Sequence, residues 1–155
     1  MRCLFIGLAV ALVSGCDSSS TGAPSIVERE GEPPVVVHSP DDRALTDAIA
    51  DARRSVDDFI SELPRLRADG AYVSVKAPVP AAGGIEHIWL ADLDYRAGTF
   101  HGALGNEPLS GEHSLGDPYS IAAHEISDWM AVRGEELYGG FTIFVARDEL
   151  DSAQR

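Results

Sequence analysis

Three histidines, His87, His101 and His124, stand in the middle of this chain together with Glu86, Asp92 and Asp94. Imidazole combined with carboxylate is the donor set of a zinc or other transition-metal site. Strand register argues against that site. Arg96-Ala97-Gly98 reads as a three-residue hairpin loop that sets Tyr95 opposite Thr99, so paired positions sum to 194. His101 then faces Leu93 and His87 faces Glu107, which puts the two rings six strand positions, about 20 Å, apart. Ligand bonds of about 2 Å do not span that distance. Asp92-x-Asp94 also fails as a calcium loop, because Arg96 and Ala103 occupy positions that need oxygen ligands. The reading is therefore no metal and no cofactor.

Nucleophilic chemistry fares no better. Ser74, Ser110, Ser114, Ser120 and Ser127 all lack the Gly-x-Ser-x-Gly elbow. Ser127-Asp128 beside His124 comes nearest to a triad, but neighbours on an extended strand point to opposite faces and cannot flank one imidazole. Turn or backbone-capping roles suit that pair better. Gly83-Gly84 and Gly139-Gly140 lack the lysine and helix start of a phosphate loop, so a bend or bulge explains them. No catalytic residue is assigned, and the chain leans away from an enzyme. An envelope hydrolase using Asp128, Glu86 or His87 would require those groups to converge in one pocket.

Binding chemistry remains. Trp89, Trp129, Tyr95, Tyr138 and Phe141 fall on neighbouring candidate strands with Lys76, Glu86, Asn106 and Asp128. The candidate binding residues are Lys76, Glu86, Trp89, Asn106, Asp128 and Trp129. By parity Trp89 shares a face with Ile85, Ala91 and Leu93, which makes it a core residue by default. A surface aromatic pair would instead mark a partner groove.

The elements that must position these groups are legible in outline. Ser39-Pro40-Asp41-Asp42 supplies a cap, a first-turn proline and carboxylates for a helix N-terminus. Leu45, Ile49, Ala52, Val56, Phe59, Ile60 and Leu63 then form one apolar stripe, and Pro64 ends it. Asp47, Asp51, Arg54, Asp58 and Glu62 fall opposite, as a solvated face or a binding surface. After Gly70 the pattern changes to strands over 71–76, 85–95, 99–106, 119–122, 126–132 and 137–146, with a second turn at Arg133-Gly134-Glu135-Glu136. The fold class is α+β: one N-terminal amphipathic helix packed on a curved antiparallel sheet of about five or six strands.

The chain has 155 residues and a formal charge of −13, enough for one modest domain. Such acidity excludes nucleic acid as a partner recognised through overall charge. Cys3 and Cys16 both precede the folded region, which excludes a disulfide framework, a cysteine zinc site and a cysteine nucleophile there.

Met1-Arg2 followed by the apolar run Leu4 to Val13 is too short to span a membrane and has the proportions of a secretory signal. Val13-Ser14-Gly15-Cys16 resembles the bacterial lipobox, which implies lipidation at Cys16 and a membrane anchor through it. Residues 1–15 are then the signal peptide, and cleavage leaves 140 residues with a charge of −14. The implied location is the bacterial cell envelope, facing the periplasm. Asp17 resembles the inner-membrane retention signal where enterobacterial sorting applies. Residues 16–38, rich in serine, acids and Pro33-Pro34, read as the lipidated cysteine and a flexible tether, with Val35-Val36-Val37 as an edge-strand exception.

From Ala44 through Arg147 the chain resembles the YegJ-like bacterial family, a domain of unknown function. The motifs are Lys76-Ala77-Pro78, Glu86-His87-Ile88-Trp89, Asn106-Glu107-Pro108, Ile126-Ser127-Asp128-Trp129 and Gly139-Gly140, in order. Ile121 to Glu125 departs from the expected regular strand. The resemblance implies a small bacterial domain over 39–150 and no particular activity. The functional expectation is a lipid-anchored, non-catalytic binding module with a protein partner. The alternative is an inhibitor or immunity-type protein that covers a basic partner by charge complementarity.

Overall fold

A computed structural model describes residues 25–29, 32–37, 42–81, 84–109 and 112–153. The signal segment, Cys16 and Asp17 lie outside the described residues. Two strands, β1 (Ser25–Arg29) and β2 (Glu32–Val37), pair antiparallel as a separate sheet. Val35, Val36 and Val37, the edge-strand exception within 16–38, lie opposite Val27, Ile26 and Ser25.

The helical stripe folds as two helices, α1 (Arg43–Arg54) and α2 (Val56–Ala68). Asp42 caps α1, its carboxylate accepting from the Leu45 amide at 3.0 Å, whereas Ser39 to Asp41 lie outside the described residues. At Ser55 the hydroxyl donates back to the Asp51 carbonyl, a bond that favours bending, and the single helix expected divides there. Pro64 lies inside α2 instead of ending it, because Leu63 and Leu66 on either side are both buried. The stripe itself is as expected: Ala52, Val56, Phe59 and Leu63 are buried.

Six further strands form an open antiparallel sheet in the order β6-β5-β4-β3-β7-β8. They are β3 (Tyr72–Ala81), β4 (Gly84–Arg96), β5 (Thr99–Leu104), β6 (Pro118–Ala122), β7 (Asp128–Arg133) and β8 (Glu136–Gly139). A 3-10 turn, Ala123–Glu125, joins β6 to β7. The architecture is therefore α+β. The last expected strand is corrected: β8 stops at Gly139 and a third helix, α3 (Phe141–Ala153), follows.

Register fixes the two faces. Leu90, Val75 and Trp129 form one row across β4, β3 and β7, and Trp89, Lys76 and Asp128 form the next. Adjacent rows point to opposite faces. The first belongs to the core, where Val73, Val75, Ala77, Val79, Ile88 and Leu90 meet Phe59 and Leu63 of α2. Arg53 braces α1 on the turn before β7, its Nε donating to the Ile126 carbonyl at 2.8 Å.

The β4–β5 hairpin differs by one residue from the expected register. Its loop is the two-residue Ala97-Gly98, both at positive φ (48° and 79°), so Arg96 pairs with Thr99 and His101 faces Asp94. A bulge between Ala91 and Asp94, with Asp92 at φ 49°, then restores the 194 register at Ala91 and Ala103. The bulge also reverses parity. Leu93 reaches the core with Ile88 and Leu90, while Trp89 faces the other way and is only half-buried, which corrects its expected core position.

Candidate functional site

Two places in this fold collect candidate side chains. The first is the Trp89–Lys76–Asp128 row at the start of α3. Gly139 and Gly140 at φ 69° and 72° swing the chain from β8 against β7, so close that a Cβ at Gly139 would lie 2.3 Å from the Trp129 carbonyl oxygen. The glycine pair thus forms a bend, as its sequence suggests, and delivers α3 to Asp128. The buried Asp128 carboxylate accepts from the amides of Trp129 (2.8 Å), Phe141 (3.2 Å) and Thr142 (2.8 Å) and from the Thr142 hydroxyl (2.8 Å). It satisfies amides that the first turn of a helix leaves unpaired and places negative charge at the positive end of the dipole.

Lys76, the sole lysine of the chain, donates from Nζ to the Thr142 hydroxyl at 2.7 Å and lies 4.8 Å from the Trp89 ring centroid. Thr142 therefore accepts from the ammonium and donates to the carboxylate. Burial pushes Asp128 above the usual carboxylate range, opposed by its hydrogen bonds from Thr142 and by Lys76. Burial pulls Lys76 down to about 8 against the opposing charge of Asp128. Within this network Asp128 and Lys76 hold α3 on the sheet.

The other expected residues scatter. Glu86 pairs with Val79, shares the parity of Ile88 and Leu90, and accepts from the Leu109 amide at 2.8 Å. Glu86 and Asp128 thus stand on opposite faces, and the carboxylate pair of the hydrolase reading does not converge. Asn106 lies in the bend after β5, outside the Lys76 row. His101 Nδ1 is 2.7 Å from the Ser120 hydroxyl, and His124 sits exposed in the 3-10 turn. Among the described residues no three His, Cys, Asp or Glu side chains are grouped to hold a metal ion. Ser127 meets His87, not His124: its Oγ is 2.5 Å from His87 Nδ1, while its amide donates to the Lys76 carbonyl at 2.8 Å. Ser127 escapes the alternation of an extended strand because β7 begins at Asp128 and Ser127 lies in the bend before it.

The second place is on the core face. Trp129 stacks on Phe59 (centroids 4.7 Å, 15°), meets Phe141 edge-on at 5.9 Å and donates from Nε1 to Ser55 Oγ at 3.0 Å. Beside this stack a groove of about 200 Å³ opens between α2 and the β7–β8 hairpin. Phe59, Leu66 and Trp129 make its floor, and Asp58, Glu62, Arg65, Arg133 and Tyr138 its rim. Tyr138 is 42% exposed. Both arginines are engaged, Arg65 with Glu62 at 2.6 Å and Arg133 with Glu136 at 3.0 Å and Asp69 at 3.6 Å. Hydrogen bonds from Tyr138 and Arg133 hold Glu136 below the ordinary carboxylate range. Of the groove residues, Trp129 alone is among the six candidate binding residues, while the sequence reads Asp58 and Glu62 as a solvated face or a binding surface and groups Tyr138 with the strand aromatics. Available signals were the Asp58/Glu62 helical spacing and the turn that sets Tyr138 opposite Ala131, next to Trp129.

With fold and sites in hand, the chain is an α+β bacterial domain, and residues 42–155 match the family described as an uncharacterized protein conserved in bacteria, DUF2314. The chain belongs to that family. It is 40% identical over 104 residues to the uncharacterized protein YegJ of Escherichia coli K12, covering 66% of this chain and 67% of that protein. It is 36% identical over 73 residues to a putative ankyrin repeat protein of Neisseria meningitidis serogroup B, covering 45% of this chain and 28% of that protein. No solved structure matches the chain.

Proposed function

We propose that this chain is a lipid-anchored, non-catalytic binding module of the bacterial envelope that takes an apolar side chain of a protein partner into the α2/β7–β8 groove. The observation that carries this reading is the groove itself, with its aromatic floor and charged, water-exposed rim. That is the anatomy of a binding hot spot, an apolar anchor site ringed by polar groups. At about 200 Å³ it is smaller than the roughly 300–1,000 Å³ typical of small-molecule pockets, and it suits one inserted side chain. The anchor rests on the lipobox resemblance at Cys16, and Asp17 favours the inner membrane where enterobacterial sorting applies.

The acidity of the chain favours a second reading, an inhibitor or immunity-type role against a basic toxin or enzyme. A basic toxin encoded beside this gene, and neutralised by this chain, would mark that role.

Affinity capture from native membrane extract tests the groove. Wild type is compared with Tyr138→Ser and with Phe144→Ser, the latter exposed on α3. A partner held by wild type and Phe144→Ser but lost from folded Tyr138→Ser is the expected result. Equal capture by all three, or none by any, overturns the reading.

A further inference from the structure

Resting on that groove reading, the rim geometry identifies the partner's chemistry: we infer that the groove receives an aliphatic side chain flanked by basic residues of a protein segment. The floor gives the first half. Phe59 and Leu66 are buried and Trp129 is half-buried, so the bottom of the groove offers carbon and ring faces. The indole N–H of Trp129 is already donated to Ser55 and adds no polar demand.

The rim gives the second half. Asp58 and Glu62 line the groove one turn apart on the exposed side of α2, while Asp69 at the C-cap of α2 and Glu136 on β8 lie beyond the lining and pair with Arg133 of the opposite wall. The lining itself holds two carboxylates and two guanidiniums, and each guanidinium is matched by a carboxylate of this chain; with Asp69 and Glu136, which pair with those arginines, the cluster has four acids to two arginines. An anionic segment would have to break those pairs and face the excess acids. A cationic one gains from the acids and from the overall charge of −13.

The test uses the full chain in detergent, with three acetylated tripeptide amides as probes: Arg-Leu-Arg, Glu-Leu-Glu and Arg-Ser-Arg. The readout is the Trp129 indole N–H resonance, assigned by comparison with Trp89→Phe. Arg-Leu-Arg is expected to shift it with an affinity about fivefold above that of Glu-Leu-Glu, a gap that narrows at high salt. Arg-Ser-Arg is expected to leave it unmoved. The double variant Asp58→Asn, Glu62→Gln, exposed at both positions, removes the two lining acids and leaves Arg65 with Asp69, and is expected to abolish the preference. Equal shifts by both leucine peptides would overturn the cationic preference and leave the groove standing. No shift by either, or an equal shift by Arg-Ser-Arg, would overturn the groove along with it.

Discussion

Asp128 accepts four hydrogen bonds inside the fold, and most of them come from the first turn of α3. Asparagine would turn an amide N–H₂ toward donors and leave Lys76 without its counter-charge. Asp128→Asn is expected to cost about 3 kcal/mol in urea unfolding, and a loss below about 1 kcal/mol would contradict the clasp. Lys76 carries a pH signature of its own. Its amine falls to about 8 in the folded chain against an ordinary 10.5, so between those values the unfolded state holds more protons. Stability should therefore rise with pH across that window, by no more than about 3 kcal/mol. Lys76→Met should remove that rise, and an identical pH profile for the two proteins would contradict the assignment. Sequence alone nominated Lys76, Trp89 and Asp128 together, and they do meet. What it could not show is that the lysine and the carboxylate spend their hydrogen bonds on Thr142, because burial is a property of the packed sheet.

At the level of elements, the misplacements have identifiable causes. Phe141, Ile143 and Val145 alternate as a strand would, yet that stretch is α3. The Gly139-Gly140 bend and the Asp128 cap override the local pattern, and neither can be weighed before β7 and β8 are paired. The bulge at Asp92 reversed the parity that had sent Trp89 to the core, since one extra residue exchanges the two faces of everything beyond it. The α2 stripe, the six-stranded sheet and the Gly134 turn were legible because periodicity and turn chemistry are local. Gly139→Ala should destabilise by at least about 3 kcal/mol, since the added carbon meets the Trp129 backbone and ring at a positive φ. Gly134→Ala, whose Cβ meets nothing within 4 Å, should cost about 1 kcal/mol. Thermal unfolding of the pair checks the order. Pro64→Ala at an exposed position inside α2 should stabilise by about 2 kcal/mol, and a loss would mean that the proline ring is needed for packing.

For the whole molecule, an acidic α+β domain, a proposed lipid anchor at Cys16 and an aromatic groove would together make the surface-tethered binder we propose. Cys16→Ser should abolish acyl labelling and move the chain out of the membrane fraction; persistent labelling would exclude the anchor. Trp129 and Asp128, attractive from sequence as partner contacts, are poor probes of function, since one fills the Phe59 stack and the other caps α3. Rim positions report on binding without disturbing the core. The most direct measurement is therefore site-specific photo-crosslinking in the living bacterium, with a benzophenone amino acid replacing Glu62 or Tyr138 at the groove, or Arg147 on α3. The account predicts one shared protein adduct from Glu62 and Tyr138 and none from Arg147. Adducts from Arg147 alone, or none from either groove position, would contradict it.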